Sequence, residues 1–278
     1  MREELTITLI LLLVFVGIPI LVTSISGKEN QAMQTERIDN LTLTVLYDNY
    51  PSQEGLETAW GFACLIQGAE KTILFDAGGK GAILLANMRK LGFQPDAIEL
   101  IVLSHEHWDH VGGMQDFLAQ QPEVSVYLPH SFSAGFKDEV KHAGANIIEV
   151  QEAMQICPQV YSTGDLEGQT REQALILQTG QGMIILTGCA HPGIIKIIKK
   201  AKEMLPDEVL LVIGGFHLKD YSRALLTDII AEFKQSGVKY VGPCHCSGDP
   251  ARQMFEQAYQ NHFIRLGVGK VITLKDLK

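Results

Sequence analysis

The sequence predicts an α+β domain in which two packed β-sheets carry helices on their outer faces. Three observations point to it. Short apolar strands follow one another closely between Leu41 and Asp76. Beyond them, apolar strands alternate with segments of helical period. Several strands run straight into turns rich in glycine and histidine, and loops at the strand ends of layered folds are where function gathers. At 278 residues, 46% of them hydrophobic, the chain suits one large domain with a substantial core.

The first 26 residues read apart from that domain. Leu5 to Ile25 is mostly apolar, close to the roughly twenty residues a membrane-crossing helix needs. Small residues at Ser24 and Ser26 precede Gly27, so residues 1–26 read as a signal anchor or signal peptide. The expectation is a membrane-anchored or exported protein with its catalytic domain outside the cytoplasm. Residues 27–40 are polar and aperiodic, a linker, and residues 41–278 form the domain.

Within it, Leu41, Leu43, Val45 and Tyr47 alternate with Thr42 and Thr44 as in a half-buried strand. Gly61 to Gln67 and Thr72 to Asp76 read as strands, and Ala82 to Leu91 as a helix stopped by Gly92. Leu100 to Leu103 is a short, wholly apolar strand. Further strands are expected at Val124 to Leu128, Ala174 to Gln178, Met183 to Thr187, Val209 to Ile213, Tyr240 to Gly242 and Val271 to Leu274. Helices are expected at Gly113 to Gln120, Gly193 to Met204, Ser222 to Ser236 and Pro250 to Tyr259. Asn49 to Ala59 and Ser131 to Gln151 read as loops.

A net charge of −9 argues against nucleic acid as a partner. An acidic protein can still take an anionic substrate if bound cations dominate the local field. Five cysteines, an odd number, make no disulfide framework. Cys64 and Cys157 read as small buried residues, whereas Cys189, Cys244 and Cys246 sit beside histidines.

The decisive segment is Ser104-His105-Glu106-His107-Trp108-Asp109-His110-Val111-Gly112-Gly113. Imidazole nitrogen and carboxylate oxygen are zinc ligands. In extended chain His105 and His107 point the same way, and the turn after Trp108 brings Asp109 and His110 toward a second ion. Glu106 points away and is peripheral. Three further strand ends carry histidine: Thr187-Gly188-Cys189-Ala190-His191, Gly214-Gly215-Phe216-His217-Leu218 and Pro243-Cys244-His245-Cys246-Ser247-Gly248. Three such ends beside the first cluster favour functional use. His130, His142 and His262 lack that context.

The His-x-His-x-Asp-His segment, with Leu74-Phe75-Asp76-Ala77-Gly78 upstream, resembles the metallo-β-lactamase superfamily. The Thr-Gly-Cys-Ala-His, Gly-Gly-Phe-His-Leu and Pro-Cys-His-Cys-Ser-Gly motifs, with Asp48-Asn49 and Trp60-Gly61-Phe62, resemble one branch of it. That branch is named after a methanopterin-pathway synthase joining a dihydropterin pyrophosphate to ribofuranosylaminobenzene phosphate. The resemblance implies a four-layer αβ/βα sandwich with two mixed sheets. It implies two divalent ions, zinc in the first place with iron or manganese as alternatives. His105, His107 and His191 would hold one, and Asp109, His110 and His245 the other. Many members of the superfamily take a ligand histidine from the loop before the strand Met183 to Thr187 and a bridging aspartate after it. Here Gln151 to Gly182 holds no histidine and Cys189 stands in the aspartate's place. His191 is therefore expected to substitute, with Cys189 a ligand or a neighbour of the ligands, and Asp76 to orient a ligand histidine.

The implied function is a hydrolase using a metal-bridged hydroxide on a phosphoester or ester-like small molecule, phosphorylated substrates included. Asp109 and His217 would be its catalytic residues, His217 as acid or phosphate contact, and Asn49 a substrate contact. Two alternatives stand beside it: a pyrophosphate-displacing synthase like that of the branch, and a non-catalytic metal-binding or sensor protein. Ala77-Gly78-Gly79-Lys80-Gly81 fits no phosphate-loop pattern, and Gly-x-Ser-x-Gly is absent from the chain.

Overall fold

The computed structural model describes residues 37–277. Its strands are β1 (Thr42–Tyr47), β2 (Ala63–Gln67), β3 (Ile73–Phe75), β4 (Leu100–Val102), β5 (Ser125–Pro129), β6 (Asn146–Val150), β7 (Met154–Cys157), β8 (Val160–Ser162), β9 (Leu175–Thr179), β10 (Gly182–Thr187), β11 (Val209–Gly215), β12 (Tyr240–Cys244) and β13 (Val271–Thr273). The helices are α1 (Gly81–Lys90), α2 (Trp108–Val111), α3 (Met114–Leu118), α4 (Ala134–His142), α5 (Ile194–Met204), α6 (Arg223–Gln235) and α7 (Asp249–Tyr259).

One sheet runs β13-β1-β2-β3-β4-β5-β6 and the other β12-β11-β10-β9-β8-β7. Both are mixed. In the first, β3, β4, β5 and β6 are parallel neighbours, while β1, β2, β3 and β13 pair antiparallel. In the second, β10, β11 and β12 are parallel, and the rest pair antiparallel.

Alternation along the strands divides the apolar residues among three layers. Leu43, Val45, Ile66 and Phe75 of the first sheet meet Leu177, Ile184, Leu186 and Ile213 of the second, forming the core between the sheets. Leu46, Leu65, Leu74 and Ile101 face outward onto Leu84, Met88 and Phe117 of α1 and α3. Ile176, Ile185 and Val212 face outward onto α5, α6 and α7. In α5, Ile194, Ile197, Ile198 and Ala201 are the buried residues, one stripe at helical spacing. Burial of each such Ile, Leu or Phe contributes about 1.5–3 kcal/mol. The expected pair of mixed sheets flanked by helices is therefore present.

The structure departs from the sequence reading in places. Ser131 to Gln151 holds α4 and β6 rather than a loop. Only Val140 of α4 is buried, and β6 buries only its last residue, so neither shows a period to read. The hairpin β7–β8 was likewise not expected; its strands are four and three residues long. The domain also begins before Leu41, because buried Ile38 bridges Thr179.

The expectation of a membrane-anchored or exported protein is corrected. Among the described residues no helix is long and apolar enough to cross a membrane. The longest of the helices named above, α6, has 13 residues, against the roughly twenty required. Residues 1–26, on which the anchor and signal reading rested, lie outside the described residues, as does most of the linker.

Candidate metal centre

Five strand ends supply the site. In the first sheet, β3 ends at Phe75 ahead of Asp76, and β4 leads into Ser104–His110. In the second, β10, β11 and β12 end ahead of Gly188, Phe216 and His245 respectively. Four non-glycine residues at these ends have left-handed backbone: Asp76 (φ 57°), Ala190 (φ 59°), His217 (φ 53°) and His245 (φ 48°). Such conformations cost free energy and persist only where surrounding contacts enforce them.

The structure brings the expected ligand residues together. Metal-ligating atoms of His105, His107 and His191 lie within 4.8 Å of one another, as do those of Asp109, His110 and His245. A third group, His105, His110 and Cys189, spans the two. His105 Nε2 is 3.1 Å from His107 Nδ1, and His110 Nε2 is 3.3 Å from His245 Nε2. Asp109 Oδ2 stands 3.2 Å from His245 Nε2, and Cys189 Sγ 3.2 Å from His110 Nε2.

Three histidines have their far nitrogens tied, which aims Nε2 at the pocket. Asp76 Oδ2 is 2.7 Å from His110 Nδ1 and also accepts the Ser104 hydroxyl at 2.8 Å. With its proton committed to Asp76, Ser104 Oγ accepts from His105 Nδ1 at 2.9 Å. Asn49 Oδ1 accepts from His245 Nδ1 at 3.0 Å. Asn49 thus turns its amide oxygen to a ligand histidine, which differs from the expected substrate contact. Glu106 points away from the pocket and bonds the backbone N–H and hydroxyl of Ser133, at the start of α4.

The electrostatics suit a cation. Burial, then the neighbouring His110, His191 and His107, holds His105 well below its ordinary value. Burial, then His217 and His107, pushes His191 down to about 3. Burial also pulls on His110, but the charge and hydrogen bond of Asp76 outweigh it and push His110 up to about 9. Burial works against ionisation of Asp109, yet the His245 hydrogen bond and the charges of His110 and His245 hold it low. His217, whose ring centroid lies 4.3 Å from that of His191, is raised by its hydrogen bond with Cys246.

Both ring nitrogens of His191 are buried with no hydrogen-bond partner. Leaving a buried polar group unsatisfied costs about 1–3 kcal/mol. A divalent ion shared with His105 and His107 would satisfy one of them, and the donor set of imidazole, carboxylate and thiolate suits zinc. The residues present therefore fit a metal.

Sequence reasoning missed Glu172. Its buried carboxylate accepts four backbone N–H groups of the loop after β10: Oε1 from Gly188, Cys189 and Ala190 at 3.1, 2.9 and 2.9 Å, and Oε2 from His191 at 2.8 Å. Burial pushes Glu172 up to about 7 even though those N–H groups pull the other way. The one signal in the sequence is an acidic residue two positions before the apolar run Ala174 to Leu177. Thr170, also missed, places Oγ1 3.3 Å from His107 Nε2.

Outside the pocket stand two exposed indoles, Trp60 and Trp108. Trp60 lies against His245, ring centroids 4.8 Å apart, with Lys219 Nζ 5.5 Å from a Trp60 ring centroid. From Trp108 a groove of about 700 Å³ runs between α3 and α4, lined by Met114, Leu118, Phe136 and Val140 among others.

Comparison with known proteins finds relatives that share this fold. The family model described as the metallo-beta-lactamase superfamily matches residues 61–192. The 7,8-dihydropterin-6-methyl-4-(beta-D-ribofuranosyl)-aminobenzene-5'-phosphate synthase of Methanocaldococcus jannaschii is 27% identical, over 86% of this chain and 99% of its own. A crystal structure of a metal-dependent hydrolase of the beta-lactamase superfamily superposes with a TM-score of 0.73 at 26% identity, over 84% of this chain and 98% of that one. The metallo-beta-lactamase fold protein YhfI from Bacillus subtilis shares the fold, with a TM-score of 0.64 at 14% identity over 84% of this chain and 100% of that one.

Proposed function

This chain belongs to the metallo-β-lactamase superfamily, and from that membership we propose that it is a binuclear metallo-hydrolase acting on a phosphoester or ester-like small molecule. The observation that carries the proposal is the meeting of two donor triplets, one of three imidazoles and one of a carboxylate and two imidazoles, in a single pocket. His105, His107 and His191 would hold one ion, Asp109, His110 and His245 the other, with Cys189 within reach of both sets. Divalent ions bound there supply a water of lowered pKa and polarise a phosphoryl or carbonyl oxygen.

The chain's own residues do the rest. Asp76, Ser104 and Asn49 fix the tautomers and headings of His110, His105 and His245. Glu172 fixes the loop that carries Cys189 and His191. His217 is exposed and raised, so it can hold a proton for a leaving group at the edge of the pocket. Trp60 and Lys219 offer an aromatic face and a positive charge to a phosphorylated substrate. The groove beyond Trp108 would take an apolar portion of it.

The synthase reading is second, favoured by a relative of that name matching over nearly its whole length. Metal analysis of the purified protein, followed by phosphodiester, phosphomonoester and lactone panels, tests the proposal. At least two equivalents of divalent metal, one for each triplet, and turnover of one panel class are expected. A metal-loaded protein inert on all panels would remove the hydrolase reading.

A further inference from the structure

One cluster of donors reaches beyond the two triplets. Cys189 Sγ, Cys246 Sγ and a ring nitrogen of His217 lie within 4.8 Å of one another. They come from the ends of β10, β12 and β11, three neighbouring parallel strands. Cys189 and Cys246 are 3% and 6% exposed, while His217 opens to solvent. All five cysteines are free thiols.

The backbone is shaped to bring these side chains together. His217 itself, Ala190 after Cys189 and His245 before Cys246 all have left-handed backbone. A Cβ at Gly215 would lie 2.7 Å from Cys246 Sγ and 3.2 Å from Cys189 Cα, so glycine there leaves room for the Cys246 sulfur beside the Cys189 backbone. In a tetrahedral zinc site, with sulfur about 2.3 Å from the ion, ligand atoms stand ~3.8 Å apart. The three donors are within a small adjustment of that spacing, and the solvent side leaves a fourth position free.

We propose that Cys189, Cys246 and His217 form a third cation site, rich in sulfur, that takes a thiophilic ion such as Zn(II) or Cd(II) and is joined to the main pocket through Cys189. Thiolate donors select such ions over hard cations. Because Cys189 also lies with His105 and His110, an ion here competes with the main pocket for that sulfur. The site does not depend on the hydrolase reading, since its test reads bound metal rather than turnover.

The experiment is a Cd(II) titration of the full-length protein, reduced with a phosphine and monitored by thiolate-to-cadmium charge-transfer absorbance and by metal analysis. Wild type is expected to bind one equivalent more than Cys246→Ser, and Cys246→Ser to lose about half of the absorbance or more. Cys64→Ser, at a thiol outside the cluster, should match wild type. Equal equivalents and equal absorbance in wild type and Cys246→Ser would overturn the site. So would a wild-type protein in which Cys189 and Cys246 remain joined as a disulfide under reduction. Should Cys246→Ser fail to fold, His217→Gln is read instead: the extra equivalent is expected to bind about tenfold more weakly or more, and unchanged affinity would overturn the site.

Discussion

Glu172 Oε2 accepts the backbone N–H of His191 at 2.8 Å, while its other oxygen accepts those of Gly188, Cys189 and Ala190. One carboxylate thus fixes the loop that presents two donors. Glu172→Gln exchanges an acceptor oxygen for an amide that can only donate, leaving at least one N–H unsatisfied at about 1–3 kcal/mol. Metal affinity is expected to fall about 10–100-fold, measured by competition against a chromophoric chelator. Unchanged affinity would show the loop to be held by other contacts.

His107→Ala removes a donor from the triplet of imidazoles. Loss of one bound equivalent and of turnover is expected, read by metal analysis beside the substrate panel. His217→Ala should keep both ions of the two triplets and lower turnover by about 10²–10⁴-fold, the range of a general acid. Full metal content and full activity in His107→Ala would refute the ligand assignment.

The pairing of His110 with Asp76 gives the metal-free protein a pH dependence. Folding raises His110 from 6.5 to about 9, so its protonated form is favoured by the fold. The stabilisation is fully present below the unfolded value and is lost as pH rises through about 9. Its size is at most about 3 kcal/mol. Denaturant unfolding in excess chelator should therefore show stability falling between these two values. Asp76→Asn should flatten that slope, and an equally steep slope in the variant would assign it elsewhere.

Gly188 stands where no larger residue fits. A Cβ there would lie 2.0 Å from Ser104 Oγ and 2.9 Å from Asp76 Oδ2. Ser104 cannot withdraw without leaving Asp76. Gly188→Ala is expected to cost about 1–3 kcal/mol by overpacking and to weaken metal binding. Thermal melting with and without metal separates the two effects; a variant with wild-type melting and metal content would mean the two sheets part freely here.

The sequence made the centre of this site legible and its supports much less so. His105, His107, Asp109 and His110 crowd into six positions, so their purpose can be read locally. The histidines at the ends of β10, β11 and β12 share one context, an apolar strand giving way to glycine. Glu172 has no such mark, because its partners lie 16 to 19 residues away and are all backbone N–H groups. Asn49 reaches His245 across 196 positions, a pairing no spacing rule could suggest. Helix α4 and strand β6 escaped notice because each buries a single residue. The anchor reading followed from hydropathy in residues 1–26 alone and took nothing from the folded domain.

The first and last strands of the domain are neighbours: Thr42 pairs with Thr273, and Thr44 with Val271. Being antiparallel, they send the residues before Thr42 and after Thr273 out from the same end of the sheet. A short linker could therefore join the two ends of the described domain, and the domain could be opened at exposed Gly237 between α6 and β12. Such a circular permutant would keep every donor on its own strand while a ribosome delivered His245 and Cys246 first, ahead of all the other donors.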